Sequence, residues 1–161
     1  MTLEQPDIDL LRDALDRVNS VWDGDRELDC RIAYAVGMNW CDPHWAYSGT
    51  SSWRDHVEKN GYISAWNNDH VFDREDGVPL FSTNLDAGFK LLQTVLPHHD
   101  TININCDPSG FGANVGNWYI GENKMYDYAE SSCASFPLAF VSAILKAYIG
   151  KLTDTGVVKD M

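Results

Sequence analysis

Residues 136–149 read FPLAFVSAILKAYI, and this run constrains the chain more than any other. Leu138, Val141, Leu145 and Tyr148 recur at steps of three and four, the spacing of one helix face. Ala139, Phe140, Ala143, Ile144 and Ile149 occupy the other directions, so the predicted helix has almost no polar side. Such a helix is stable in water only when other elements cover most of its circumference. Ser135 near the cap, Pro137 in the first turn and Gly150 beyond the last turn bound it. The rest of the chain must supply its cover.

Ile8, Leu11, Leu15, Val18 and Trp22 form one helix face, with Pro6 and Asp7 at its start and Asp23-Gly24-Asp25 at its end. Leu28, Ile32, Ala35 and Val36 predict a second helix, closed by Gly37. Residues 38–78 form an irregular aromatic insert, rich in tryptophan and tyrosine and broken by turn signals. Within it, 52–59 suggests a helical turn and 62–66 or 70–72 a short strand. Trp40 and Trp53 read as packing residues; Trp45 and Trp66 fit either packing or a binding surface. Thr83 and Asp86 resemble a capping box opening a third helix, whose face is Leu85, Phe89, Leu92 and Leu96. Thr101–Cys106 alternates strictly, and 115–121 and 124–129 read as further strands around a turn at Glu122-Asn123. The predicted class is α+β: a three-stranded antiparallel sheet packed with helices, in one domain spanning 1–161.

The 161 residues carry 24 acidic and 12 basic side chains, a net charge of −12. This argues against a nucleic-acid binder that works by neutralising phosphates. No apolar run reaches the roughly 20 residues of a membrane span, and no secretory signal is visible, so a cytoplasmic location is expected. Residues 1–25 form an added acidic helix. Its Asp9, Asp13 and Asp16 make either an ordinary solvated face or a surface that docks a basic partner.

Three segments carry a family resemblance: Glu27–Gly37, Pro79-Leu80-Phe81-Ser82-Thr83-Asn84-Leu85-Asp86-Ala87-Gly88, and Pro137-Leu138-Ala139 leading into Ala143-Ile144-Leu145-Lys146-Ala147. In order and spacing, the stretch from about Arg26 to Gly150 resembles the phage ABA sandwich domain, a family of small bacteriophage and prophage proteins. The resemblance implies an α/β sandwich, a phage origin and so the host cytoplasm, but no reaction and no catalytic residues. The acidic first helix and the long insert depart from the family pattern.

No cofactor or metal is expected. Cys41-Asp42-Pro43-His44 and His98-His99-Asp100 lack the paired ligand motifs of zinc sites, and Asp73–Gly77 misses the calcium-loop spacing. The four cysteines are scattered and suggest no disulfide framework. Ser131, Ser132 and Cys133 precede the last helix, whose N-terminus could depress a thiol pKa; capping and packing are the ordinary reading. Gly110–Gly116 has the wrong spacing for a dinucleotide fingerprint and reads as a hairpin loop. If helices cover both sheet faces, the Thr101/Asn103/Asn105 row must lie at an open edge or line a wet cleft; a solvated strand face is the ordinary reading, since antiparallel sheets often leave one face in water. A cleft with Asn103, Asn105, Tyr119, Trp45 and Trp66 would suit a polar planar ligand. These readings predict a protein that acts by binding, either a host protein or a small polar, nucleotide-like ligand, in a setting such as antagonism of a host defence. A small enzyme with its site between the insert and the sheet, and a structural or assembly role, are the alternatives. A homodimer through the sheet edge or the last helix is open.

Overall fold

The computed structural model of the chain describes residues 2–41, 49–66 and 78–160. His44, Trp45, the strand expected at 70–72 and the acidic run Asp73–Gly77 lie outside the described residues. In chain order the elements are β1 (Thr2–Leu3), α1 (Ile8–Ser20), α2 (Arg26–Val36), β2 (Met38–Asn39), α3 (Trp53–Trp66), α4 (Leu85–Val95), β3 (Thr101–Asp107), β4 (Gly110–Tyr119), β5 (Lys124–Cys133), α5 (Phe136–Leu152) and β6 (Val157–Asp160).

The apolar helix α5 sits at the centre, as its composition demands. Leu138, Ala139, Phe140, Val141, Ala143, Ile144 and Leu145 have no solvent exposure. One side of the helix packs on β4 and β5; α1 and α4 pack on others. Ser142, the polar residue mid-helix, is buried with its hydroxyl 2.6 Å from Asn19 Oδ1 and 2.7 Å from Ser131 Oγ. Its single proton and that of Ser131 together serve both contacts.

Local chemistry accounts for the helix ends. Asp7, Asp25 and Ser135 each cap a helix by accepting a backbone N–H three residues on. Gly37 closes α2 at φ 92°, a left-handed position that glycine adopts without strain. The cap of α4 is Asn84 rather than the expected Thr83, and its side chain accepts from Asp86 and Ala87. In the insert, 53–66 is helical with a break at Gly61 (φ 83°), so 62–66 is not a strand. Trp40 stacks on Trp53 at 4.3 Å, and both are buried.

The expected three-stranded sandwich is corrected on two counts. The sheet has four antiparallel strands, in the order β3-β4-β5-β6. β6 pairs with β5 after α5 ends; at four residues it is too short to show a period in the sequence. The sheet is also not closed into a sandwich. Helix α5 covers the face that carries Ile104, Ala113, Val115 and Ala129. On the opposite face Asn103, Asn105, Glu130 and Ser132 are exposed, the usual state of an antiparallel sheet with one wet side. β4 begins at Gly110, so the glycine-rich stretch is strand rather than loop. Gly112 lies under the Asn105 amide and Gly116 under the Met125 side chain, where a Cβ would collide with either.

A buried polar clamp joins the helical half to the segment before α4. The Asp29 carboxylate has no exposure and accepts from Ser82 Oγ at 2.6 Å, Ser82 N–H at 2.8 Å and Arg26 Nη1 at 2.9 Å. Burial nevertheless raises its pKa above the usual carboxylate value. Among the described residues no helix is long and apolar enough to cross a membrane.

Two predictions concern this framework. A Cβ at Gly88 would lie 2.8 Å from the Phe140 ring, which is buried and packed edge-on against Phe89. Gly88→Ala is therefore expected to lose stability: overpacking of about 1–3 kcal/mol outweighs a helix-propensity gain of about 1 kcal/mol or less. Urea unfolding measures it, and a stabilised variant would show that the ring can yield. The second concerns His99, whose Nε2 is 3.2 Å from the Asp127 carbonyl and whose Nδ1 is buried without a partner. Burial lowers its pKa below 6.5. Both states are neutral well above pH 6.5; as pH falls, the unfolded chain takes up a proton before the folded one. Stability held above pH 6.5 is thus lost as pH falls toward the folded-state pKa. The urea midpoint should drop on acidification, and drop less in His99→Gln.

Candidate functional site

Helix α1 ends two residues earlier than the apolar stripe suggests. Val21 is extended and caps it through a hydrogen bond to the Arg17 carbonyl, and the chain then swings outward. Trp22, expected on the buried stripe, is 84% exposed. An indole this open contrasts with Trp40 and Trp53, which are buried in the core.

Beneath this corner lies a groove of about 480 Å³. Asn19, Ser20 and Trp22 form one wall; Pro108 and Phe111 of the β3–β4 hairpin form another; Cys133 lies at the end of β5. Each wall is held in place. Phe111 packs edge-on against Phe136 at 4.5 Å. The hairpin turn is held by Asp107, whose carboxylate accepts from the Ser109 N–H and hydroxyl; these bonds lower its pKa. Asn19 accepts from buried Ser142 and, at 3.4 Å, from the Cys133 thiol. The groove's polar wall is thus anchored to the central helix.

The Cys133 thiol is not a prepared nucleophile. Burial is the main influence on its pKa and raises it, against lowering by Ser142 and Lys146. It stays protonated at neutral pH and serves as a donor. This agrees with the ordinary reading of the segment as packing, and lost solvation is the physical cause. Among the described residues no group of three His, Cys, Asp or Glu side chains could hold a metal ion.

The acidic trio on α1 is divided by its own neighbours. Asp9 lies 3.9 Å from Arg12, and Asp13 lies 3.4 Å from Arg17 and 4.0 Å from Arg31. Asp16 has no ion pair among the described residues. It stands one helical turn before Asn19 and Ser20, on the side that leads to the groove.

The residues expected to share a ligand cleft do not all meet. Asn103 and Asn105 lie exposed on the wet face of β3. Tyr119 falls on the opposite parity of β4 from Gly112 and Asn114, which pair with Asn105 and Asn103, and its ring meets Tyr126 edge-on at 5.0 Å. Trp45 lies outside the described residues, and Trp66 is described only as the last residue of α3. The residue that sequence reasoning missed is Trp22. Its signal was its place beside Asp23-Gly24-Asp25, where a turn could carry it off the helix.

A smaller cleft of about 280 Å³ lies between β5, the end of α5 and β6. The Lys146 ammonium at its edge donates to the Glu130 carbonyl at 3.0 Å, so its charge is already engaged. No protein-family model, curated protein or solved structure matches the chain.

The thiols offer a check on the site's chemistry. At neutral pH iodoacetamide is expected to label exposed Cys106 well before half-buried Cys133, as followed by peptide mass spectrometry. Faster labelling of Cys133 would mean that the thiol is activated after all.

Proposed function

We propose that this protein acts by binding, and that the Trp22 groove receives a basic, arginine-bearing segment of a partner protein. The observation that carries this reading is the exposure of Trp22 over a groove already formed in the fold. Exposed tryptophans at formed grooves are typical anchors of protein interfaces. A guanidinium is the favoured occupant because it stacks on an indole face and is drawn by surrounding carboxylates. Asp16, Asp23 and Asp25 flank the groove in the chain, and half of the net charge of −12 lies within residues 1–29. Long-range attraction of this kind speeds encounter and weakens with salt.

The resemblance to phage ABA sandwich proteins belongs to the same proposal. A phage-encoded protein of this kind would meet its partner in the host cytoplasm, and antagonism of a host defence is one setting for it. A small polar ligand is the second reading. It is favoured by the groove's volume of about 480 Å³ and by its mixture of Asn19, Ser132, Phe111 and Trp22.

Isothermal titration with an arginine hexapeptide, with a lysine hexapeptide as the comparison, tests the leading reading. The arginine peptide is expected to bind more tightly, and Trp22→Ala to weaken it about tenfold or more, as for an interface anchor. Asp16→Asn should weaken binding more than Asp9→Asn, because Asp9 already faces Arg12. Equal binding by wild type and Trp22→Ala would sink the proposal.

A further inference from the structure

We propose that β3 is a pairing edge, at which two copies of the chain join antiparallel about a two-fold axis at Ile104. Two four-stranded sheets would then become one sheet of eight strands. The two edges of the sheet differ in kind. β6 is four residues long, carries Lys159 and Asp160, and its ladder to β5 is broken by a register shift. Short length, charge and irregularity are the devices that keep an edge strand from pairing further.

β3 has none of these. It runs Thr101–Asp107 in unbroken register with β4 over seven residue pairs. It contains no lysine, arginine or proline, and its one charge, Asp107, is at the end. Among the described residues no strand pairs with its outer side. Its side chains are also left partly uncovered. Helix α5 packs mainly on β4 and β5, so Ile104 joins the core periphery while Ile102 remains 37% exposed and Cys106 is exposed.

The occupant that fits is a second copy, because the strand is complementary to itself. Directly opposed residues of an antiparallel pair share a face. With the axis at Ile104, Ile102 faces the partner's Cys106, Asn103 faces the partner's Asn105, and Thr101 faces the partner's Asp107. Apolar meets apolar, amide meets amide, and no two acids oppose. The acidic N-terminal helix does not obstruct this approach: α1 packs on α5, α2 and β5.

A single strand edge lies at the small end of specific interfaces, so association is expected at concentrations on the order of tens of micromolar. Sedimentation velocity from about 5 to 500 µM tests it, with the weight-average mass expected to rise about 1.5-fold across that range, from near that of the monomer toward that of the dimer. Two double variants test the register. Asn103→Lys/Asn105→Lys sets like charges against each other across the axis and should remain monomeric. Asn103→Lys/Asn105→Glu sets opposite charges together and should dimerise like the wild type. Circular dichroism melts establish that each variant is folded. A wild type that stays monomeric throughout overturns the proposal, and would leave the edge to a strand from another protein. Identical behaviour of the two double variants overturns the two-fold register.

Discussion

The structure depends on enclosing one helix that cannot face water. Helix α5 has apolar side chains in nearly every direction, and burying each large one is worth about 1.5–3 kcal/mol. The sheet takes one side of it, α1 and α4 take others, and the strands are laid down so that Ala113, Val115 and Ala129 meet it. One sheet face is thereby committed to the core, and the opposite face can remain polar. A second helical layer is not required, because Asn103, Asn105, Glu130 and Ser132 are exposed and open to solvent, and the Glu130 carboxylate also accepts from the Tyr128 hydroxyl.

Buried polar groups then set where the surrounding elements lie. Ser142 would be unsatisfied inside so apolar a helix; Asn19 and Ser131 resolve this by bringing the end of α1 and the end of β5 to the same place. That junction forms one wall of the Trp22 groove. Asp29 acts similarly on the other side of α2, where Ser82 and Arg26 hold the segment leading into α4. In both cases a single buried oxygen couples parts of the chain far apart in sequence. A candidate binding surface thus follows from the requirements of the core.

Much of the fold was legible in local patterns. Helices α1, α2, α4 and α5 and the start of β3 follow from periodicity and caps, since both depend on neighbours three or four residues away. The misreadings share a different cause. Trp22 has the right spacing for a buried stripe, yet the helix stops at Ser20 and the indole turns outward. Gly110–Gly116 has the composition of a loop, yet becomes strand because β3 and β5 pair with it on either side, and its glycines leave room for the Asn105 and Met125 side chains. β6 carries too few residues to show alternation and is defined by its partner strand. Of the expected ligand-binding group, Asn103 and Asn105 share a face that Tyr119 does not, a separation decided by strand parity.

By itself the sequence determined that this chain must build an α+β fold around an apolar C-terminal helix, with acid concentrated at the N-terminus. Those properties are sums over near neighbours, and period, capping and charge are such sums. Only the tertiary structure decided that the sheet has a fourth strand and one open face, that Arg31 of α2 approaches Asp13 of α1, and that Trp22 stands over a groove. Each of these turns on which distant groups meet, and solvation and packing settle that only when the whole chain is in place.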